Sequence, residues 1–167
     1  MILTTHAIVG AAVANILPSH PFIGFAAGFA SHFLLDAIPH WDYSLLSRKK
    51  DQSNPMNDDM IINKNFIIDL FKIGVDAIFG IIMALLLFSS PNFHLAWAPL
   101  WGAIGAVVPD ALQFIYWKWR HEPLTSLYKF HAVWIHSKIK FSDRPVLGIS
   151  LQVIFILFIV AISKLIG

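Results

Sequence analysis

The sequence predicts an all-α integral membrane protein, a helical bundle of about five transmembrane helices. Of its 167 residues, 57% are hydrophobic and only 13% are charged, whereas soluble domains carry about 25% charged residues. Five long apolar runs hold most of the hydrophobic residues, with polar segments between them. Since no internal repeat or flexible linker separates the runs, one polytopic membrane domain over residues 1–167 is the simplest organisation.

Composition also excludes several classes of function. The formal net charge of +2 is small, and no basic run alternates with aromatic residues as nucleic-acid binding requires. The absence of cysteine excludes disulfides, thiolate zinc sites and cysteine nucleophiles. The first apolar run follows no positively charged segment and precedes no convincing A-x-A cleavage site, so we expect it to be retained rather than removed as a signal peptide.

The five apolar runs are candidate membrane spans, since a spanning helix needs about 17–25 residues. They lie at Leu3–Leu17, Phe22–Ile38, Phe66–Phe88, Leu95–Trp117 and Val146–Ile166. The first two are close to the lower limit and are joined by the predicted turn Pro18-Ser19-His20-Pro21. They therefore form either two spans or a short re-entrant hairpin, and in both cases their ends emerge on one side. Ser89-Ser90-Pro91-Asn92 is the predicted turn between the third and fourth runs.

The distribution of basic residues predicts the orientation. With this order of spans, the N-terminus and the loops 41–65 and 118–145 lie on one side. Every Lys and Arg residue except Lys164 falls on that side, which the positive-inside rule assigns to the cytoplasm. The sequence thus predicts a multi-pass protein of the cell inner membrane, with both large loops cytoplasmic and the C-terminus outside.

Ionisable side chains inside the apolar runs give the main functional signal. Each costs roughly 2.5–3.5 kcal/mol to insert and usually faces the interior of the bundle. At a rise of 1.5 Å per residue, His32 and Asp110 lie about 10 Å from the cytoplasmic side, and the others also fall in the cytoplasmic half. The set comprises His6, His32, Asp36, Asp69, Lys72, Asp76 and Asp110. We therefore expect several helices to contribute acids and imidazoles to one inward-facing cavity.

The stretch Ser31–Asp42 is the centre of this expectation. His32, Asp36 and His40 are four residues apart, which places them on one stripe of a helix. Imidazole and carboxylate groups at this spacing can share a divalent metal ion. The predicted metal ligands are His6, His32, Asp36, His40, Asp42 and Asp110. Zn²⁺ is the first choice of metal, with Mn²⁺ or Mg²⁺ as alternatives.

Other polar residues are candidates for catalysis and substrate binding. Asp69 and Asp76 share one helix face and are candidates for a general base or for ligands of a second metal, and the loop residue His131 is a candidate ligand or general acid. Lys72, Arg48 and Arg120 are candidates for holding a phosphate. Structural alternatives stay open: Asp69 and Asp76 can pair with Lys72, Asp110 can cap a helix segment after Pro109, and loop histidines such as His131 and His136 are often simply exposed.

Three short motifs resemble a known family. They are Thr5-His6, the helix end Asp36-Ala-Ile-Pro39-His-Trp-Asp42, and Gly105 to Asp110, a Gly-x-x-Val-Pro-Asp sequence. Together they resemble the bacterial membrane-bound metal-dependent hydrolase family of the YdjM-like kind. This resemblance implies a small polytopic inner-membrane protein with His6, Asp36, Asp42 and Asp110 among its site residues. Where many members carry Arg-Gly-x-Thr-His-Ser, this chain has Arg120-His121-Glu-Pro-Leu-Thr125-Ser126 and lacks the second histidine.

Three functions remain open from the sequence. The first is a metal-dependent hydrolase at the cytoplasmic membrane face, acting on a membrane lipid, a lipid-like molecule or a phosphorylated small molecule. The second is a membrane scaffold whose buried polar cluster only orders helix packing. The third is a metal or proton transporter, although the outer half offers few polar groups for a pathway. The substrate and the oligomeric state are not encoded in these patterns.

Overall fold

The computed structural model describes residues 1–17, 20–88 and 97–166 of the chain. The predicted turn residues Pro18 and Ser19, and the whole predicted turn Ser89–Asn92, lie outside this description. The described helices are α1 (Leu3–Asn15), α2 (Pro21–Asp36), α3 (Lys64–Phe88), α4 (Trp97–Lys118), α5 (Leu124–Lys129) and α6 (Pro145–Ile166). A π-helical turn over Phe130–Ile135 continues α5. Strands β1 (Arg48–Lys49) and β2 (Asp59–Met60) form a small antiparallel hairpin, with the 3-10 turn Pro55–Asn57 between them.

The predicted helical class is confirmed, but the predicted number of spans is not. Three of the described helices, α3, α4 and α6, are long and apolar enough to cross a membrane. Helices α1 and α2 have only 13 and 16 residues, less than the roughly 17–25 residues of a typical span. The chain is thus a helical membrane protein with three full-length candidate spans and one pair of shorter helices.

The short pair lies beside one half of the long helices. The start of α1 is next to the middle of α3, because a Cβ atom at Gly80 would be 2.7 Å from the Cα atom of Thr4. The end of α2 is next to the middle of α4, where His32 Nδ1 is 2.7 Å from the carbonyl oxygen of Ala106. The N-terminus of α1 and the C-terminus of α2 therefore meet inside the bundle. Their unpaired backbone groups need polar partners there.

Small residues allow α2 and α4 to pack with their backbones in contact. A Cβ atom at Gly28 would lie 1.9 Å from the carbonyl oxygen of Gly102, and one at Gly24 would lie 2.4 Å from that of Ala98. Close approach through small residues is the usual way in which helices associate in lipid. Here it brings His32, one turn after Gly28, into hydrogen-bonding distance of the α4 backbone.

We expect Gly28→Ala to lower the thermal stability of the detergent-solubilised protein, because the new methyl group would force the two backbones apart. Overpacking of this kind typically costs about 1–3 kcal/mol. Gly74→Ala is the matched control, since apart from the neighbouring backbone of α3 no atom of the described residues lies within 4 Å of a Cβ placed there. A Gly28→Ala variant that melts at the same temperature as Gly74→Ala would contradict the close packing of α2 on α4.

Candidate metal centre

Asp36, the last residue of α2, is the centre of a buried polar cluster. Its side chain is 2% exposed. Oδ1 is 3.0 Å from the Met1 nitrogen and 3.2 Å from His6 Nε2. Oδ2 is 2.8 Å from His131 Nε2 and 3.3 Å from His32 Nε2. Three parts of the chain, α1, α2 and the turn after α5, thus direct nitrogen atoms toward one carboxylate.

The backbone of α4 fixes the orientation of His32. A carbonyl oxygen only accepts hydrogen bonds, so His32 Nδ1 donates its proton to Ala106 and, in the neutral ring, Nε2 carries the lone pair. Nε2 lies 3.2 Å from His131 Nε2 and 3.8 Å from Asp110 Oδ1. Two imidazole nitrogens at this distance need either a shared proton or a cation between them. The arrangement is typical of histidines whose far nitrogen is held by the backbone while the near one binds a metal.

Four of these side chains have the spacing of a metal site. His32, Asp36, Asp110 and His131 each offer one ligand atom, and these four atoms lie within 4.8 Å of one another. Two imidazoles with two carboxylates form a donor set that suits Zn²⁺ and is acceptable to Mn²⁺. Asp110 is the most accessible member, with 32% of its side chain exposed.

His6 supports the fit of this site to a cation. Its ring is completely buried and stacks on that of His32, with the centroids 4.1 Å apart. Among the described residues, neither ring nitrogen of His6 has a hydrogen-bond partner with good geometry, although Nε2 lies 3.2 Å from Asp36 Oδ1. Buried polar atoms are rarely left without a partner, so each such atom requires an explanation. A cation beside Asp36 would be a partner for Nε2 and would explain why that atom is buried there.

His40 and Asp42 follow α2 and remain close to the cluster. Burial lowers the pKa of His40, and likewise that of His136, to about 4. Both imidazoles are therefore neutral at pH 7 and keep a lone pair available. Burial is the main cause that raises the pKa of Asp42, and the negative charges of Asp110 and Asp36 act in the same direction. Asp42 thus lies within electrostatic range of the cluster, although it is not among the grouped ligand atoms.

Asp76 has a different set of contacts from those we expected of a general base. Its oxygens accept hydrogen bonds from the backbone N–H groups of Leu3 and Thr4, at 2.7 and 3.0 Å. The hydroxyl groups of Thr4 and Tyr43 donate to the same carboxylate, at 2.6 and 3.1 Å. Asp76 therefore caps the N-terminus of α1 from the neighbouring helix, which satisfies donors that lipid could not.

We expect Asp76→Ala to destabilise the protein without removing bound metal. The substitution would leave the N–H groups of Leu3 and Thr4 unpaired, and each buried donor without a partner costs about 1–3 kcal/mol. Thermal melting and elemental analysis of the same sample would measure both effects, with Asp143→Ala in the exposed loop as the control. Loss of metal at unchanged stability would place Asp76 in the metal site instead.

Asp69 and Lys72 connect α3 to the loop that follows α2. Asp69 Oδ2 accepts hydrogen bonds from the backbone N–H and the hydroxyl group of Ser47, at 2.7 and 2.6 Å. Lys72 Nζ lies 3.7 Å from Asp69 Oδ1. These contacts give Asp69 a structural role in holding the loop, and its predicted catalytic role stays a prediction.

The two arginines predicted to bind phosphate lie in the loop region at the end of α4. Arg48 makes a 2.8 Å ion pair with Asp58. Arg120 donates to the carbonyl oxygens of Met56 and Asp58, both at 3.0 Å. Within the described part of the chain, these contacts stabilise the loop, and the structure does not bring either guanidinium into the Asp36 cluster.

A groove of about 510 Å³ lies next to the cluster, between the start of α1, the chain after His40 and the face of α3. It is lined by Ile2, Thr4, Trp41, Tyr43, Phe71, Lys72, Val75, Asp76 and Phe79. Ile2 and Trp41 are chain neighbours of Met1 and His40, whereas the described residues that line the groove include none of the grouped ligand residues. The groove is mainly apolar, with one lysine and one carboxylate.

His136 is a cluster residue that the sequence left unassigned. Its Nε2 atom is 3.8 Å from Asp36 Oδ2. On an α-helix at 100° per residue, His131 and His136 would point about 140° apart. The π-helical turn, in which His136 N–H bonds to the His131 carbonyl at 2.9 Å, stacks their rings instead, with centroids 5.9 Å apart. The sequence offered only the local density of histidines as a signal.

No protein-family model, curated protein or solved structure matches this chain. The functional argument therefore depends on the geometry of the site itself.

Proposed function

We propose that this protein is a metal-dependent hydrolase of the bacterial inner membrane, of the YdjM-like kind, that cleaves a phosphoester or phospholipid-type substrate at the cytoplasmic face. The observation that carries the proposal is the convergence of His32, Asp36, Asp110 and His131 on one buried point. A helix bundle in lipid has no packing reason to bury this many titratable groups together, and such residues usually mark functional sites.

In this proposal those four residues hold a divalent metal ion, with Zn²⁺ as the first candidate and Mn²⁺ or Mg²⁺ as alternatives. An ion of this class activates water at neutral pH and neutralises the charge of a phosphate group. The chain itself supplies the orientation of the ligands: the Ala106 carbonyl holds the His32 ring, and the π-helical turn holds His131. Burial of the site excludes bulk water, which strengthens each electrostatic interaction within it.

The apolar lining of the groove favours a substrate that has an apolar part. Phe71, Val75 and Phe79 line it and are 71%, 51% and 53% exposed on the outer face of α3, where a bilayer would contact them. Lys72, with 42% of its side chain exposed, places an ammonium group beside this apolar wall. If the acyl chains of a lipid occupied the groove, its anionic headgroup would lie near the cluster. A free phosphorylated molecule has no acyl chain, so among the groove residues it would bind through Lys72 alone.

The proposed topology follows the helices of the structure. We propose that α3 and α6 leave the cytoplasm, that α4 returns to it, and that α1 and α2 form a short pair entering from the same side, which gives five helical passes of unequal length. The cytoplasmic side then holds the loops 41–65 and 118–145, the buried N-terminus faces that side from inside the bundle, and the C-terminus lies outside. Support comes from the basic residues, all but Lys164 of which fall at this end.

The experiment is to purify the protein in mild detergent, measure bound metals, and assay phosphomonoester, phosphodiester and phospholipid hydrolysis. We expect His32→Ala and His131→Ala to reduce hydrolysis more than about 100-fold, since even residues that only orient a metal ligand affect activity about 10- to 100-fold. His121→Ala, in the exposed part of the same loop, is the matched control. Hydrolysis that is unchanged in His32→Ala would refute the proposal.

A structural scaffold is the second candidate, and one observation favours it. Asp36 already has close partners in His131 and the Met1 nitrogen, at 2.8 and 3.0 Å, so the cluster is partly satisfied by protein groups alone. A scaffold predicts that the His32→Ala variant melts at a lower temperature while the wild-type protein contains no metal. The metal measurement above therefore separates the two functions.

A further inference from the structure

A second group of ligand atoms lies on the other flank of Asp36. His40 Nε2 is 3.9 Å from Asp36 Oδ1, and His136 Nε2 is 3.8 Å from Oδ2. One ligand atom from each of the three residues lies within 4.8 Å of the other two. The first group consists of His32, Asp36, Asp110 and His131, and the two groups have only Asp36 in common.

The protein backbone orients both histidines of the second group. His40 Nδ1 donates to the carbonyl oxygen of Ile38 at 2.7 Å, and His136 Nδ1 donates to that of Ser137 at 3.2 Å. Each Nε2 atom is therefore left with its lone pair, as for His32 in the first group. This repeated pattern, with one ring nitrogen on a carbonyl and the other near Asp36, is typical of metal-binding histidines.

His40 provides an independent sign of a missing ligand. Its side chain is completely buried, and its Nε2 atom makes no hydrogen bond to any residue in the described part of the chain. The position is enforced by the fold, because the Phe141 N–H bonds to the His40 carbonyl at 3.1 Å and the Ser137 N–H bonds to the Asp36 carbonyl at 2.7 Å. A buried acceptor held in place without a donor requires a partner such as a cation.

We propose that Asp36 bridges two divalent metal ions, the first held with His32, Asp110 and His131 and the second with His40 and His136. The Asp36 carboxylate supports this arrangement, because Oδ2 lies near His32 and His131 of the first group and near His136 of the second, while Oδ1 lies near His40. The first ion rests on the proposed function above, and the second extends it. Paired ions bridged in this way stabilise both the attacking and the leaving oxygen of a phosphoester, so the second ion fits the phosphoester substrate of the proposed function.

The experiment is a metal count on chelator-treated, zinc-reloaded protein after removal of loosely bound ions by gel filtration. We expect about two zinc ions per wild-type chain. His40→Ala and His136→Ala should each retain one, because the first group stays intact, and Asp36→Asn should retain neither. His121→Ala should retain both. His136 is 20% exposed, so its substitution is the safer one for folding, which thermal melting would verify.

Three outcomes would overturn the bridge. One ion per wild-type chain, unchanged in His136→Ala and His40→Ala, would leave a mononuclear site and the proposed function intact. Loss of only one of two ions in Asp36→Asn would mean that the two sites do not share this carboxylate. A wild-type chain that binds no zinc, manganese or magnesium would remove both this inference and the proposed hydrolase.

Discussion

Asp36→Asn is expected to weaken metal binding more than any other single substitution. The carboxylate contacts nitrogens from α1, α2 and the turn after α5. An amide has no negative charge to offset that of the metal, and breaking a buried charge pair costs about 3–5 kcal/mol. Since each 1.4 kcal/mol is tenfold, the dissociation constant should rise roughly 10²- to 10³-fold.

A chelator-competition titration of the purified protein would measure this change. Asp143→Asn is the control, because it makes the same chemical substitution at an exposed loop position. The account would be contradicted if Asp36→Asn retained wild-type affinity in a folded sample. Reduced affinity in Asp143→Asn as well would indicate a general effect of net charge instead.

Removal of metal should lower the thermal stability of the wild-type protein by about 10 °C. The proposed ion joins α2, α4 and the turn that contains His131, three elements far apart in sequence. A ligand present at 1,000 times its dissociation constant stabilises the folded state by about 4 kcal/mol. For a chain of this size, each kcal/mol shifts the melting temperature by about 2–4 °C.

The measurement is thermal melting in detergent with zinc and with excess chelator. The matched variant is His32→Ala, which should show a smaller shift than the wild-type protein because it lacks a ligand of the first group. The prediction is contradicted if the wild-type curve does not move when metal is removed. An equal shift in His32→Ala would place the stabilising ion elsewhere in the protein.

Hydrophobic patterning predicted the long helices well. The predicted runs Phe66–Phe88 and Val146–Ile166 correspond to α3 and α6, which begin one or two residues earlier. The predicted run Phe22–Ile38 is less accurate, because α2 ends at Asp36. Hydropathy measures composition alone, so it does not separate a full span from a shorter helix that ends inside a bundle.

Sequence patterns predicted only part of the candidate metal site. The four-residue spacing brought His32 and Asp36 together because both belong to α2. His40 lies beyond the end of that helix, and its position depends on the backbone bond from Phe141. The helical phase that makes Asp76 a catalytic candidate, a role that stays a prediction, does not reveal its capping contacts, because Leu3 and Thr4 are 73 and 72 residues away. Contacts over such distances depend on how the helices pack, which no local pattern specifies.

X-ray absorption spectroscopy of the zinc-loaded protein would test the metal centre most directly. The account predicts a first coordination sphere of nitrogen and oxygen atoms at about 2.0–2.1 Å, with imidazole scattering that decreases in His32→Ala and in His131→Ala but not in His121→Ala. A spectrum without imidazole scattering, or one that is identical in all three variants, would contradict a metal centre built around Asp36.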